Sequence, residues 1–154
     1  MPEGRAVLDR ALRIELPFPP KQLSPNARVH WREKAKVVAR YREDCGWAGV
    51  AAWRNGKPYR DKPPINLQYP VRAAVTFVVP DRRRRDLDNL LAMLKPAWDG
   101  LCDAGVLAGD DSARFSVGEV KVEVLHQDAH VVVELRVLGG LCCLHRAVGA
   151  PDRG

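Results

Sequence analysis

The chain has 154 residues, enough for one domain with a core of its own. Its 46% hydrophobic content excludes an intrinsically disordered chain, and no apolar run reaches the length of a membrane-spanning helix. A net charge of +6 and a pI of about 9.4 favour an anionic partner, and nucleic acid is the commonest one. The N-terminus lacks the apolar core of a signal peptide, so a cytoplasmic protein is expected. Cys45, Cys102, Cys142 and Cys143 form no C-x-x-C pair. Thiols in a reducing compartment are therefore expected rather than a zinc site.

Residues up to about Arg10 read as a frayed start. Leu12, Ile14 and Leu16 alternate with Arg13 and Glu15, the pattern of a half-buried strand, and Pro17, Pro19 and Pro20 end it. Ser24-Pro25 is a helix-start signal. From there Trp31, Ala35, Val38, Cys45, Ala48 and Ala52 recur at helical spacing and predict one apolar stripe. Arg28, Arg32, Lys34, Lys36, Arg40 and Arg42 fall mostly off that stripe, giving a basic face that is either a solvated surface or a phosphate-contacting one. His30 beside Trp31 is either an ordinary helix residue or a ligand or stacking group. Asn55 to Pro64, with Lys57, Arg60 and Lys62, reads as an exposed basic loop.

Val71 to Val79 is apolar at nearly every position, which predicts a central strand covered on both faces, closed by Pro80. Leu90, Leu94, Trp98 and Leu101 then form a helical stripe from Leu87 to Ala104, with Pro96 kinking or splitting the helix and Gly105 ending it. Gly109-Asp110-Asp111-Ser112 reads as a turn. Val120 to Leu125 and Val131 to Val137 alternate and predict an antiparallel hairpin across His126 to His130. Beyond Gly139-Gly140 the pattern stops. Residues 139–154, with Cys142, Cys143 and His145, read as a disordered tail behind a single domain spanning 1–138. The order strand, helix, strand, helix, strand, strand predicts an α+β fold: a mixed sheet of about four strands with helices packed on it.

The most charged stretch is Asp81-Arg82-Arg83-Arg84-Arg85-Asp86-Leu87-Asp88-Asn89-Leu90. Arginines suit a polyanion, and ionised carboxylates are the usual ligands of Mg²⁺ or Mn²⁺. The plain alternative is a solvated turn in which Asp86 or Asp88 caps the following helix. Asp86 and Asp88 point the same way only if Asp86 stays outside the helix, because residues two apart diverge once helical. Asp110 and Asp111 are either turn formers or the source of a third carboxylate. Lys95 lies two turns after Asp88 on nearly the same face, either as a surface lysine or as a charge for a phosphoryl transition state.

That central stretch, followed by Leu94-Lys95-Pro96, Asp99-Gly100-Leu101, Asp103-Ala104-Gly105 and Asp110-Asp111-Ser112, resembles the RusA family of Holliday-junction resolvases, often carried by phages and prophages. Leu16-Pro17-Phe18-Pro19-Pro20, with Asn26 after it, looks like the family's opening, and the resemblance spans roughly Leu12 to Leu138. It implies a homodimeric, Mg²⁺-dependent endonuclease that binds branched DNA and makes paired symmetric nicks in four-way junctions; Mn²⁺, which takes the same carboxylate ligands, is the other ion expected. The family's essential aspartates match Asp86, Asp88 and Asp111, as catalytic residues and metal ligands, and its essential lysine best matches Lys95. About three extra residues between Asp88 and Lys95, close to one helical turn, set Ala92 at the strict-register position. Arg82, Arg83, Arg84 and Arg85, with Arg28, Arg32 and Lys36 of the first helix, are expected to hold the DNA backbone.

Two other classes share these residues. One is a non-catalytic DNA-binding protein of the same fold, separated from the enzyme by metal-dependent cleavage of a synthetic junction. The other is a nucleotide-sugar transferase using Asp86-Leu87-Asp88 as a D-x-D motif, which needs a larger nucleotide-binding sheet.

Overall fold

The structure, a computed structural model, describes residues 12–54, 70–109 and 113–138. The frayed start, the 55–64 loop, the Asp110-Asp111-Ser112 turn and the tail with Cys142, Cys143 and His145 lie outside the described residues.

Strand β1 (Leu12–Pro17) buries Ile14 and Leu16 and exposes Arg13 and Glu15, as its alternation predicts. It lies at one edge of the sheet, where a proline N–H is not missed. The Pro17 carbonyl instead accepts the Tyr41 hydroxyl at 2.8 Å.

The first long helix does not begin at Ser24-Pro25. The Ser24 hydroxyl accepts the Asn26 N–H at 3.3 Å and its carbonyl accepts the Ala27 N–H at 3.0 Å, so the segment closes a local turn after a short 3₁₀ stretch, Lys21–Leu23. Helix α1 runs Trp31–Arg54. His30 caps it: Nδ1 accepts the Arg32 N–H at 3.3 Å and the carbonyl accepts the Lys34 N–H at 3.0 Å. Arg28 therefore precedes the helix. The expected stripe also shifts. Tyr41, Cys45, Gly46, Gly49 and Trp53 are buried, Val38, Ala48 and Ala52 are half-buried, and Trp31 is 69% exposed. The buried face starts only at Tyr41, because the first turns of α1 have no core beneath them.

Strand β2 (Val71–Val79) is central, pairing antiparallel with β4 (His130–Val137) and parallel with β3 (Phe115–Val124); the order across the sheet is β1-β4-β2-β3. It is not covered on both faces as expected: among the described residues the helices pack on the face of Val71, Ala73, Val75 and Phe77, while on the other face Arg72 is exposed and Ala74 and Thr76 are half-buried, their small or polar side chains needing no cover. The expected β3–β4 hairpin is thus not a paired hairpin, since β2 lies between them and residues 125–129 cross its end. The Leu125 N–H bonds the Val79 carbonyl at 3.0 Å at that crossing. Composition explains the order. Val131, Val132, Val133 and Leu135 make β4 apolar enough for the interior, whereas Lys121 and Glu123 leave β3 suited to an edge. β3 also begins earlier than its alternation predicts, because an extra residue between Val117 and Val120 makes a bulge that breaks the period.

Helices α2 (Leu87–Met93) and α3 (Lys95–Asp103) are the split helix expected after β2. The break falls at Leu94, and Pro96 sits in the first turn of α3, where its missing N–H is not needed. Leu90, Leu94, Trp98 and Leu101 are all buried, as their spacing predicts. They pack in one cluster with Tyr41, Phe77, Val75, Val133 and Leu135, which places all three helices on one face of the sheet. Gly105 adopts φ +77° and ends α3, after which the Val106 and Leu107 N–H groups both bond the Leu101 carbonyl. Where α1 crosses α3 the backbones nearly touch: a Cβ on Gly100 would lie 2.0 Å from the Arg42 carbonyl oxygen. The Arg42 guanidinium grips both carboxylate oxygens of Asp103 beside that crossing.

Candidate functional site

The charged stretch leaves the C-terminal end of β2 at Pro80, and Asp81 organises the arginine turn after it. One oxygen, Oδ1, accepts the Arg83 N–H at 3.0 Å and Arg85 Nη2 at 2.9 Å, while Arg83 Nε stands 3.6 Å from Oδ2. Arg85 Nη1 also donates to the carbonyls of Asp81 at 3.2 Å and Arg83 at 3.0 Å. The Arg83 N–H and then the Arg85 guanidinium hold the Asp81 carboxyl below its usual range. The four arginines are therefore not equivalent. Arg85, with 22% of its side chain exposed, is a structural clamp on the turn, whereas the Arg83 side chain is 86% exposed and Arg82 and Arg84 face solvent.

Asp86 lies outside α2 in extended backbone, φ −87° and ψ 119°, and Asp88 lies in the first turn. The condition for both carboxylates to serve one site is met. Asp86 also caps the helix. Its Oδ1 accepts the Asp88 N–H at 3.0 Å and its Oδ2 the Asn89 side-chain amide at 3.4 Å. Both carboxylates are exposed, and both are hard oxygen donors of the kind Mg²⁺ and Mn²⁺ take. Among the described residues no three His, Cys, Asp or Glu side chains converge. Asp111, the expected third ligand, lies outside them. Lys95 begins α3 and pairs with Asp99 at 3.1 Å.

Exposed basic residues line the start of α1: Arg28 before it, then Arg32, Lys36 and Arg40. Trp31 stacks on His30, ring centroids 5.8 Å apart, and carries the Arg32 guanidinium 5.1 Å over its own ring. Together these make an exposed aromatic set among cations, a surface suited to phosphates and unpaired bases. The Cys45 thiol is buried, pushed up to about 12 by burial, and takes no part.

Two features were not foreseen. Asp81 as organiser of the arginines was signalled by an aspartate directly after Pro80 and two residues before an N–H it can accept, the Asx-turn pattern. The second is the 125–129 crossing. It places His126, Gln127 and Asp128 around an open depression beside Pro80, against the start of the charged stretch.

The chain resembles several bacterial proteins over more than half of its length. It is 38% identical over 123 residues to an uncharacterized protein of Xylella fastidiosa, covering 77% of this chain and 72% of that one. It is 30% identical over 97 residues to the crossover junction endodeoxyribonuclease RusA of Aquifex aeolicus, covering 63% and 71%. It is 39% identical over 93 residues to the protein of that name in Escherichia coli K12, covering 54% and 72%. No family model matches the chain.

Proposed function

The chain belongs to the RusA family, and from that premise we propose that it is a structure-specific endodeoxyribonuclease. Its substrate in this reading is the four-way DNA junction, cut by paired symmetric nicks. The observation that carries the reading is the way β2 delivers its charged stretch. Arginines fixed by Asp81 stand directly beside two exposed carboxylates, one extended and one in the first turn of α2.

Arg82 and Arg84 neutralise backbone phosphates, together with Arg28, Arg32 and Lys36. Asp86 and Asp88, completed by Asp111, would hold Mg²⁺ or Mn²⁺. When bound, the ion supplies Lewis acidity toward a water and the scissile phosphate. Asp86 holds the first turn of α2 in place while its carboxylate faces the site. Lys95, which pairs with Asp99, is the lysine that would offset charge developing at the phosphoryl group. Because binding is mostly to phosphates, affinity falls steeply with salt. Two nicks related by symmetry require two sites, hence a homodimer.

One observation favours a second reading, that of a non-catalytic DNA-binding protein. Both Asp86 oxygens already accept hydrogen bonds at the start of the helix, Oδ1 from the Asp88 N–H and Oδ2 from the Asn89 side-chain amide. The two readings separate on a labelled four-way junction incubated with Mg²⁺ or Mn²⁺. The enzyme nicks opposed strands symmetrically, and the binding protein shifts the junction but leaves every strand whole. Among the described residues the sheet has four strands, and no helix among them is long and apolar enough to cross a membrane.

A further inference from the structure

β3 is the outer strand of the sheet, and among the described residues nothing pairs with its free side. The Leu125 N–H bonds the Val79 carbonyl, and Val79 is in register with Val124. In a parallel ladder this fixes every second residue. Lys121, Glu123 and Leu125 turn their backbone groups toward β2, whereas Val120, Val122 and Val124 turn theirs outward. Val122 and Val124 stay 37% and 40% exposed, although they are in register with Phe77 and Val79, which are fully buried. Beyond the bulge, the edge therefore carries unpaired peptide groups and an apolar strip side by side. On the opposite face of the same strand stand exposed Lys121 and Glu123.

We infer that this edge joins two copies of the chain, β3 pairing antiparallel with β3 of the second copy about a two-fold axis at Val122. The inference rests on the homodimer of the proposed function and assigns its contact. In this register Val120 faces the partner's Val124, and Val122 faces the partner's Val122. Lys121 faces the partner's Glu123, and Glu123 the partner's Lys121. The stretch Val120-Lys121-Val122-Glu123-Val124 is thus complementary to itself in charge, and its outward peptide groups meet as hydrogen-bonded pairs. Moving the axis to Lys121 or to Glu123 sets like charges against each other, and moving it toward Val120 runs into the bulge. An axis through Val122 perpendicular to the sheet makes eight continuous strands with both helix layers on one face. The two β2 ends at Val79, just before the charged stretches, then stand roughly 20 Å apart, from about 3.3 Å per residue and about 4.8 Å per strand.

The test is a charge swap read by light scattering across a dilution series, with melting temperature as the check on folding. Lys121→Glu and Glu123→Lys should each raise the dimer dissociation constant roughly tenfold, because each turns two attractive cross-strand pairs repulsive. The double variant should return to within about threefold of the parent. Val122→Cys, in a chain carrying Cys102→Ser, Cys142→Ser and Cys143→Ser, should form a disulfide-linked dimer under mild oxidation. Hydrogen-bonded antiparallel Cα atoms lie about 5.5 Å apart, within disulfide reach. A parent that stays monomeric at every concentration overturns the dimer reading and this contact with it. A dimeric parent that neither swap weakens, that the double variant fails to restore, or that Val122→Cys fails to link keeps its dimer but overturns the contact at β3.

Discussion

Asp86 caps the helix that carries Asp88: the Asp86 Oδ1 accepts the Asp88 N–H at 3.0 Å. The two carboxylates of the charged stretch therefore answer differently to truncation. Asp86→Ala removes a cap and should lower stability by about 1 kcal/mol, whereas Asp88→Ala, at an exposed first-turn position, should leave stability within about 0.5 kcal/mol. In the nuclease reading both abolish cleavage. Urea denaturation of the two variants checks the asymmetry, and equal losses of stability would contradict the capping geometry.

The arginine run should divide in the same way. Arg84→Glu, at an exposed position, should weaken junction binding across sequences and lower the salt slope by about 1 for each phosphate it ceases to neutralise, with the melting temperature unchanged. Arg85→Ala should lower the melting temperature, because its guanidinium ties together Asp81 and the Arg83 carbonyl. Binding isotherms at several salt concentrations, with thermal melts, separate the two effects. An Arg84 variant with unchanged affinity and salt slope would remove the run from the DNA surface.

Much of the fold was legible in the sequence, for physical reasons. Leu90, Leu94, Trp98 and Leu101 announced α2 and α3 because a 3.6-residue period needs no tertiary context, and the apolar run of β2 announced a central strand for the same reason. The start of α1 was misread because the Ser24 hydroxyl and carbonyl close a local turn instead of capping a helix, a choice that the Ser-Pro pair leaves open. Trp31 fitted the apolar stripe in spacing, but whether a core lies beneath a given turn is a tertiary fact. The β3–β4 pairing failed likewise. Alternation identifies strands but not neighbours, and β2 inserts between these two. Within the site, the sequence left the cap to Asp86 or Asp88 and the structure gives it to Asp86; the clamp at Asp81 carried an Asx-turn signal, but which arginine the carboxylate holds is set by the turn's tertiary path.

The crossing of α1 and α3 offers a test of packing. Gly100→Ala would place a methyl 2.0 Å from the Arg42 carbonyl, forcing the helices apart, and should destabilise the fold by about 3 kcal/mol. Gly105→Ala, strained by φ +77° but with open space around it, should cost about 1 kcal/mol. Chemical denaturation gives both values, and a neutral Gly100→Ala would contradict the close approach.

Acid stability follows from two carboxyls held below their ordinary value of 3.8: Asp81 by the Arg83 N–H and then Arg85, and Asp103 by Arg42. A folded-state pKa below the unfolded one means that the unfolded chain binds more protons in acid. The contribution is complete above the unfolded value and is lost as pH falls through the folded values. The melting temperature of the parent should therefore drop more steeply below about pH 4 than that of the Asp81→Asn, Asp103→Asn double variant. Parallel curves would contradict the two ion pairs.

The proposed nuclease site stands or falls with Asp88, and a single preparation of Asp88→Asn decides it. The substitution keeps the shape of the side chain and removes one charge and one good metal ligand. Melting temperature, affinity for a labelled four-way junction and Mg²⁺-dependent nicking are measured beside the parent. The parent should nick opposed strands symmetrically and only with the metal. The variant should melt as the parent does, bind the junction as well or more tightly because a carboxylate facing the phosphates is gone, and lose cleavage by about 10²-fold or more. A variant that cleaves at near the parent's rate, or a parent that binds the junction and leaves it whole, would contradict the nuclease site at the end of β2.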